Sequence, residues 1–107
     1  MFMEIKITTA DTFFARFRGL MLRRHLPAGH GLLLTPCNSI HMCFMRFAID
    51  AIFIDRNYRV LKIAHNVKPW IGLAWCKDAW GVVEINAGEA NTLQVGTTLK
   101  LSTGDVR

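Results

Sequence analysis

The chain has 107 residues, of which 51% are apolar and 20% are charged, and its formal net charge is +5. This length and composition predict a single folded domain over residues 1–107 and exclude a disordered polypeptide. Glu4 and Lys6 interrupt the apolar start of the chain, and prolines and glycines break the uncharged stretch between His25 and Met45. We therefore expect neither a signal peptide nor a membrane-spanning helix, and we expect a soluble, cytoplasmic protein.

The cysteines number three, and an odd count argues against a disulfide framework. If Cys37 and Cys43 lie on one extended strand, they are separated by roughly 20 Å. That separation is too large for a disulfide bond between them. Reduced thiols are therefore expected.

Basic residues dominate the first half of the chain. No acidic residue occurs between Asp11 and Asp50, whereas five arginines do: Arg16, Arg18, Arg23, Arg24 and Arg46. Such a run attracts phosphates, nucleic acid or an acidic partner, or it forms a solvated helix face. We favour the solvated face, and we expect no nucleic-acid binding, because no aromatic residues are interleaved with the arginines and no binding motif occurs.

The first predicted element is a strand over residues 2–8, where apolar and polar residues alternate. Asp11 is then expected to cap a short helix that ends at Gly19 and anchors to a sheet through Phe13, Phe14 and Phe17. A short buried strand is predicted over residues 31–35, and an extended segment over residues 38–45. Residues 48–55 are apolar on both faces and predict a central strand.

The second half of the chain predicts a hairpin turn over residues 55–58 and strands over residues 59–65, 80–86 and 97–101. Between them, residues 67–80 are irregular and carry three tryptophans five residues apart. We expect this loop to close the end of a small barrel, and the alternatives are a ligand lid or an apolar patch for a partner. About seven short strands and one short helix favour a mostly β protein, in the form of a small antiparallel β-sandwich or partly closed barrel. Helical crossovers for a βαβ architecture are absent from the pattern.

Residues 36–55 contain the side chains most suited to chemistry. If residues 38–45 are extended, one face is core and consists of Ile40, Met42 and Phe44, and Ile52 and Ile54 of the next strand are core as well. The opposite face carries Cys37 and the residues of a predicted binding pocket, which are Ser39, His41, Cys43 and Met45, joined by Asp50. Asp50 is expected to pair with Arg46 or a backbone turn, and His41 to bond to Asp50 or Ser39. The alternative is that both faces are buried and that these polar groups bond to the backbone.

Several short motifs, taken in order, resemble the uncharacterised family known as domain of unknown function 192. They are Gly19-Leu20-Met21, Gly31-Leu32-Leu33-Leu34, the segment from Ile49 to Asp55, Val83-Glu84-Ile85 with Ala87-Gly88, and Gly104-Asp105. Many family members carry Trp-Met followed by Asn before the central strand, and His41-Met42 with Phe44 stand there in this chain. The chain therefore resembles a subgroup with Cys-x-Ser-Ile-His in that place. The resemblance implies a small β-sandwich with jelly-roll-like topology and no established activity.

Three classes of function remain open. The favoured class is a non-enzymatic ligand-binding or accessory module whose pocket surrounds His41, with a small molecule or a protein as partner. The second is a metal site or a Cys/His-dependent enzyme, because His41 and Cys43 at i and i+2 are about 6.6 Å apart on one strand face. The third is a protein-interaction domain that uses the segment from Arg16 to Arg24 or the loop from Trp70 to Trp80. No cofactor is indicated.

Overall fold

The computed structural model describes residues 4–10, 26–42 and 45–103, and these contain eight strands in two sheets. The strands are β1 (Glu4–Ala10), β2 (His30–Leu34), β3 (Ser39–His41), β4 (Ile49–Ile54), β5 (Val60–Val67), β6 (Leu73–Trp75), β7 (Gly81–Asn86) and β8 (Lys100–Thr103). Six strands form one sheet in the order β5-β4-β7-β2-β1-β8, and β3 pairs with β6 in a two-stranded ribbon. The prediction of a mostly β protein is confirmed.

The larger sheet is mixed, which corrects the prediction of a fully antiparallel fold. β1 runs parallel to both β2 and β8, whereas β2, β4, β5 and β7 pair antiparallel. Parallel neighbours require a long crossover connection, and the residues between β1 and β2 provide the length. The predicted helix over residues 11–19 lies outside the described residues. Within residues 4–10, 26–42 and 45–103 no helix is found, so none there has the length and hydropathy to cross a membrane.

The sheets do not close into a barrel. The chain nevertheless links the two edges of the larger sheet just before β8. Val60 N–H donates to Thr97 O over 2.8 Å, and Leu99 N–H donates to Tyr58 O over 2.8 Å. The start of edge strand β5 is therefore bonded to the segment that leads into edge strand β8.

Both faces of the larger sheet are covered by apolar side chains, as the double-sided pattern of β4 predicts. The first core includes the ribbon and comprises Leu26, Leu32, Leu34, Ile40, Met42, Met45, Ile49, Ala51, Phe53, Val67, Ala74 and Val82. The second core lies on the opposite face and comprises Ile5, Leu33, Ile52, Ile54, Val60, Val83, Ile85, Ala90 and Leu99. Alternation along each strand divides the residues between the two. The predicted burial of Ile40, Met42, Ile52 and Ile54 is confirmed, and Phe44 lies outside the described residues.

Asp50 is an acidic residue within this apolar strand, and its side chain accepts hydrogen bonds from three backbone N–H groups. Its Oδ1 accepts the N–H of Asn66 over 2.9 Å, and its Oδ2 accepts the N–H groups of Gly88 and Ala90 over 3.0 Å each. Only 1% of the residue is exposed. The expectation that Asp50 bonds to a backbone turn is therefore confirmed, and these bonds compensate the loss of water around the carboxylate.

Replacement of Asp50 by Asn should destabilise the protein by about 2–4 kcal/mol. One carboxylate oxygen becomes an amide NH₂ group, which cannot accept the backbone N–H hydrogen bonds that this oxygen accepts in the parent. Urea denaturation of the parent and of Asp50→Asn measures the difference. Asp78→Asn is the matched control, since Asp78 is exposed and should cost less than about 0.5 kcal/mol. Equal stability of Asp50→Asn and the parent would contradict the structural role of Asp50.

Candidate functional site

The two-stranded ribbon presents one face to the first core and the other to solvent. Ile40 pairs with Ala74, and both side chains are buried in the first core. The neighbouring pairs are Ser39 with Trp75 and His41 with Leu73. Because side chains alternate along a strand, these four residues share the outer face, and all four are exposed.

A tight turn leads into the ribbon and carries two further exposed apolar side chains, those of Trp70 and Ile71. The N–H of Trp70 donates to Met42 O over 2.8 Å, and the N–H of Gly72 donates to Lys68 O over 3.0 Å. A Cβ atom at Gly72 would lie 2.6 Å from Lys68 O, so the turn requires glycine there. Trp70 has a φ of 70°, which is strained for a bulky residue, and such strain clusters at functional sites.

We call the resulting exposed surface the platform. It consists of Ser39, His41, Trp70, Ile71, Leu73 and Trp75. Its four apolar members have between 55% and 83% of their surface exposed. In the described part of the chain, Val95 is the other large hydrophobic residue that is similarly exposed. Four such side chains within six residues form a patch, and patches of this kind mark binding surfaces.

Lys62 of β5 holds the platform residue Trp75 in place. Its Nζ donates to Trp75 O over 2.6 Å and lies 5.5 Å from the centroid of the Trp75 ring. The same ammonium lies 5.9 Å from the ring centroid of the buried Phe53. Cation–π attraction and a hydrogen bond therefore fix an aromatic ring that is otherwise open to solvent.

The residues of the predicted pocket are distributed over three places. Ser39 and His41 lie together on the platform, whereas Met45 is buried in the first core. Asp50 lies on the face of the sheet that carries the second core, and Cys43 lies outside the described residues. The structure therefore brings Ser39 and His41 together and separates Met45 and Asp50 from them, and a pocket that includes Cys43 stays a prediction.

The histidine near Asp50 is His65 and not His41. His65 Nδ1 lies 3.8 Å from Asp50 Oδ2, and about half of the His65 side chain is exposed. No group of three or more His, Cys, Asp or Glu side chains suited to a metal ion occurs in residues 4–10, 26–42 and 45–103. The pairing of His41 with Cys43 as metal ligands also stays a prediction.

Glu84 is a buried acidic residue that the sequence interpretation did not single out as a site residue. It lies on β7 between Leu32 of β2 and Ala51 of β4, on the face of the first core, and 5% of it is exposed. Burial raises the pKa of its carboxyl group from 4.5 to about 7, because the charged form loses its hydration. The sequence signal was a single charge within a strand that is apolar on both faces.

Comparisons with known proteins identify relatives over most of the chain. The model of family DUF192, described as Uncharacterized ACR, COG1430, matches residues 2–102. The chain is 38% identical over 96 residues to a UPF0127 protein of Thermococcus kodakarensis, covering 84% of this chain and 59% of that protein. It is 35% identical over 104 residues to a UPF0127 protein of Pyrococcus furiosus, covering 91% of this chain and 87% of that protein.

A crystal structure of a protein of unknown function from Novosphingobium aromaticivorans has a similar fold. Its TM-score is 0.79 at 26% identity, with 86% of this chain and 71% of that chain covered. The chain matches only part of the length of several relatives: the alignments span 59% of the Thermococcus kodakarensis protein and 44% of a UPF0127 protein of Thermococcus sibiricus.

The raised pKa of Glu84 predicts a measurable pH dependence of stability. The folded state binds a proton that the unfolded chain has released between about pH 4.5 and 7, so stability falls as the pH rises through this window. The loss amounts to about 3 kcal/mol, and it should be absent in Glu84→Gln.

Urea denaturation of the parent and of Glu84→Gln at a series of pH values isolates this contribution as the difference between the two curves. Glu4→Gln is the control, because it removes a carboxyl group from an exposed position. Parallel curves for the parent and Glu84→Gln would contradict the prediction.

Proposed function

This chain belongs to the uncharacterised family DUF192, and we propose that it is a non-enzymatic binding module that docks a segment of a partner protein on the platform. The proposal combines the binding module around His41 with the interaction surface at the tryptophan loop, since His41 and Leu73 are paired residues of one ribbon.

The observation that carries this proposal is the exposed apolar patch of the platform. Trp70, Ile71, Leu73 and Trp75 occupy a turn and a strand that backbone hydrogen bonds and Lys62 hold in place. Aromatic residues that are fixed before binding lose little conformational entropy on binding, and they are enriched at protein interfaces.

The expected affinity is moderate. Full burial of a large apolar side chain contributes about 1.5–3 kcal/mol, so four of them contribute up to ~6–12 kcal/mol. Loss of translational and rotational freedom offsets a large part of this. We therefore expect dissociation constants on the order of micromolar, which suits a reversible interaction.

The position of His41 favours binding over catalysis. A catalytic histidine is usually shielded from water, whereas His41 is exposed. His41 lies on the open face of a ribbon, and Asp50 bonds to the backbone on the other side of the sheet. On the platform, the hydroxyl of Ser39 and the imidazole of His41 supply polar contacts among apolar ones, which is the usual composition of a specific interface.

A random-peptide display library tests the proposal with the purified protein as bait. We expect peptides to be enriched on the parent and to lose binding, by tenfold or more, to the double variant Leu73→Ser, Trp75→Ser. Two buried apolar contacts of about 1.4 kcal/mol or more each are removed in that variant. Fluorescence anisotropy of the labelled peptides measures the loss.

Val95→Ser is the matched control, because Val95 is equally exposed but lies outside the platform. It should bind the selected peptides as the parent does, and all three proteins should show cooperative thermal unfolding. Failure to enrich any peptide, or equal binding by the double variant, would reject the platform as a binding surface.

A further inference from the structure

We infer that the segment docked on the platform is acidic, with carboxylates beside the apolar side chains that contact the platform, and that Lys62 binds these carboxylates. The inference rests on the proposed function and adds the chemistry of the partner. It derives from the charges around the platform.

The platform is bordered by lysines on several elements. Lys62 lies on β5, Lys68 begins the turn that carries Trp70, and Lys77 follows β6; all three side chains are exposed. The nearest acidic residue along the chain, Asp78, follows Lys77 directly. In the described part of the chain, the ion pair found is between His65 and Asp50, and none of the three lysines lies within 4 Å of a carboxylate.

The other acidic side chains near these strands do not neutralise the border. The carboxylates of Asp50 and Glu84 are buried, and Asp55 accepts the backbone N–H groups of its own hairpin turn. The net charge of +5 adds a favourable long-range field for an acidic partner.

Lys62 is the lysine best placed to select the partner. One N–H of its ammonium donates to Trp75 O, and an ammonium group has three donors. A carboxylate of a segment that packs on Trp75 would therefore meet a fixed cation with donors still available. Because burial of an unpaired ammonium is costly, a neutral or basic segment at the same place would bind more weakly.

A protein segment fits this surface better than an anionic membrane. Ser39 and His41 place polar groups between the apolar side chains of the platform. In hydrocarbon the hydroxyl group of Ser39 would lose its hydration, whereas a peptide backbone supplies hydrogen-bonding partners.

The test uses the peptides selected on the parent protein, each synthesised in two forms. One form has the selected sequence, and the other has every Asp and Glu replaced by Asn and Gln. Anisotropy titrations at low and high salt measure both forms against the parent, Lys62→Met, Lys62→Arg and Lys100→Met. Lys100 is an exposed lysine on β8, at the opposite edge of the larger sheet, and serves as the control.

We expect the selected peptides to be enriched in Asp and Glu and to bind the parent about three- to tenfold more tightly than their amide forms at low salt. Lys62→Met should abolish most of this preference, so that the acidic and amide forms bind that variant about equally, whereas Lys62→Arg and Lys100→Met should retain the preference. If Lys62 acted only by orienting Trp75, Lys62→Met would weaken both forms equally, and that result would overturn its role in charge recognition. Lys68→Met provides a second test of the cationic border should Lys62→Met fail to fold.

The remaining outcomes separate this inference from the proposed function. Peptides that bind the platform without a preference for acidic residues would overturn the inference and leave the binding module intact. Absence of selected peptides would overturn both. Co-sedimentation with phosphatidylserine vesicles that is lost in Leu73→Ser, Trp75→Ser would assign the platform to a membrane. Self-association in sedimentation velocity that is lost in the same variant would assign it to a second copy of the chain. Either result would also overturn the inference.

Discussion

The carboxylate of Asp50 is the interaction on which the arrangement of three strands depends. Its bond to the N–H of Asn66 coincides with an irregularity in the pairing of β4 with β5, where Asn66 adopts a φ of 51°. Its bonds to Gly88 and Ala90 hold the turn that follows β7. A buried carboxylate without such donors would be strongly destabilising. The carboxylate therefore needs these three N–H groups as donors, and they use it as their acceptor. Immediately after Asn66, the chain ends β5 and enters the turn that leads to the ribbon.

The two buried acidic residues of the larger sheet illustrate opposite consequences of burial. Asp50 stands near the start of β4, where a register shift and a turn bring backbone donors to it. Glu84 stands in the middle of β7, where the neighbouring strands use their backbone groups for pairing and offer the side chains of Leu32 and Ala51. The first carboxylate is solvated by the protein, and the second responds by holding its proton to a higher pH. Position within a strand therefore decides whether a buried acid is a structural link or a titrating group.

The platform results from the alternation of side chains along the two three-residue strands of the ribbon. Ile40 and Ala74 complete the first core, so the alternating residues of the same strands must face outward. Strand geometry by itself would be satisfied by polar residues there. Leu73 and Trp75 occupy these positions instead, with a lysine fixed against one of them, and the proposed binding role accounts for their exposure. In the proposed module, Ser39 and His41 supply the polar contacts.

The sequence by itself determined the mostly β class, the positions of most strands, and the two-sided burial of β4, because these properties follow from local alternation and from runs of apolar residues. It also determined that Asp50 needs a hydrogen-bonding or ionic partner, since a charge in such a strand is costly when unpaired, but it left Arg46 and a backbone turn as alternatives. It predicted residues 67–80 as irregular and so missed β6, because a strand of three residues, Leu73–Trp75, has too little length for a periodic pattern. The alternation of side chains also assigned Met45 to the wrong face, because Met45 is buried in the first core. β3 ends at His41, and alternation assigns faces only where the chain is extended.

Tertiary structure alone decided which strands are neighbours, and with them the composition of the site. The parallel placement of β1 between β2 and β8 depends on contacts between distant segments, and no local pattern encodes it. The same is true of the pairing of β3 with β6, which places His41 beside Leu73 and leaves Asp50 on the far face of the sheet. Residues close together in sequence were thus separated, and residues more than thirty positions apart were joined, because hydrogen bonding between strands acts across space and is independent of distance along the chain.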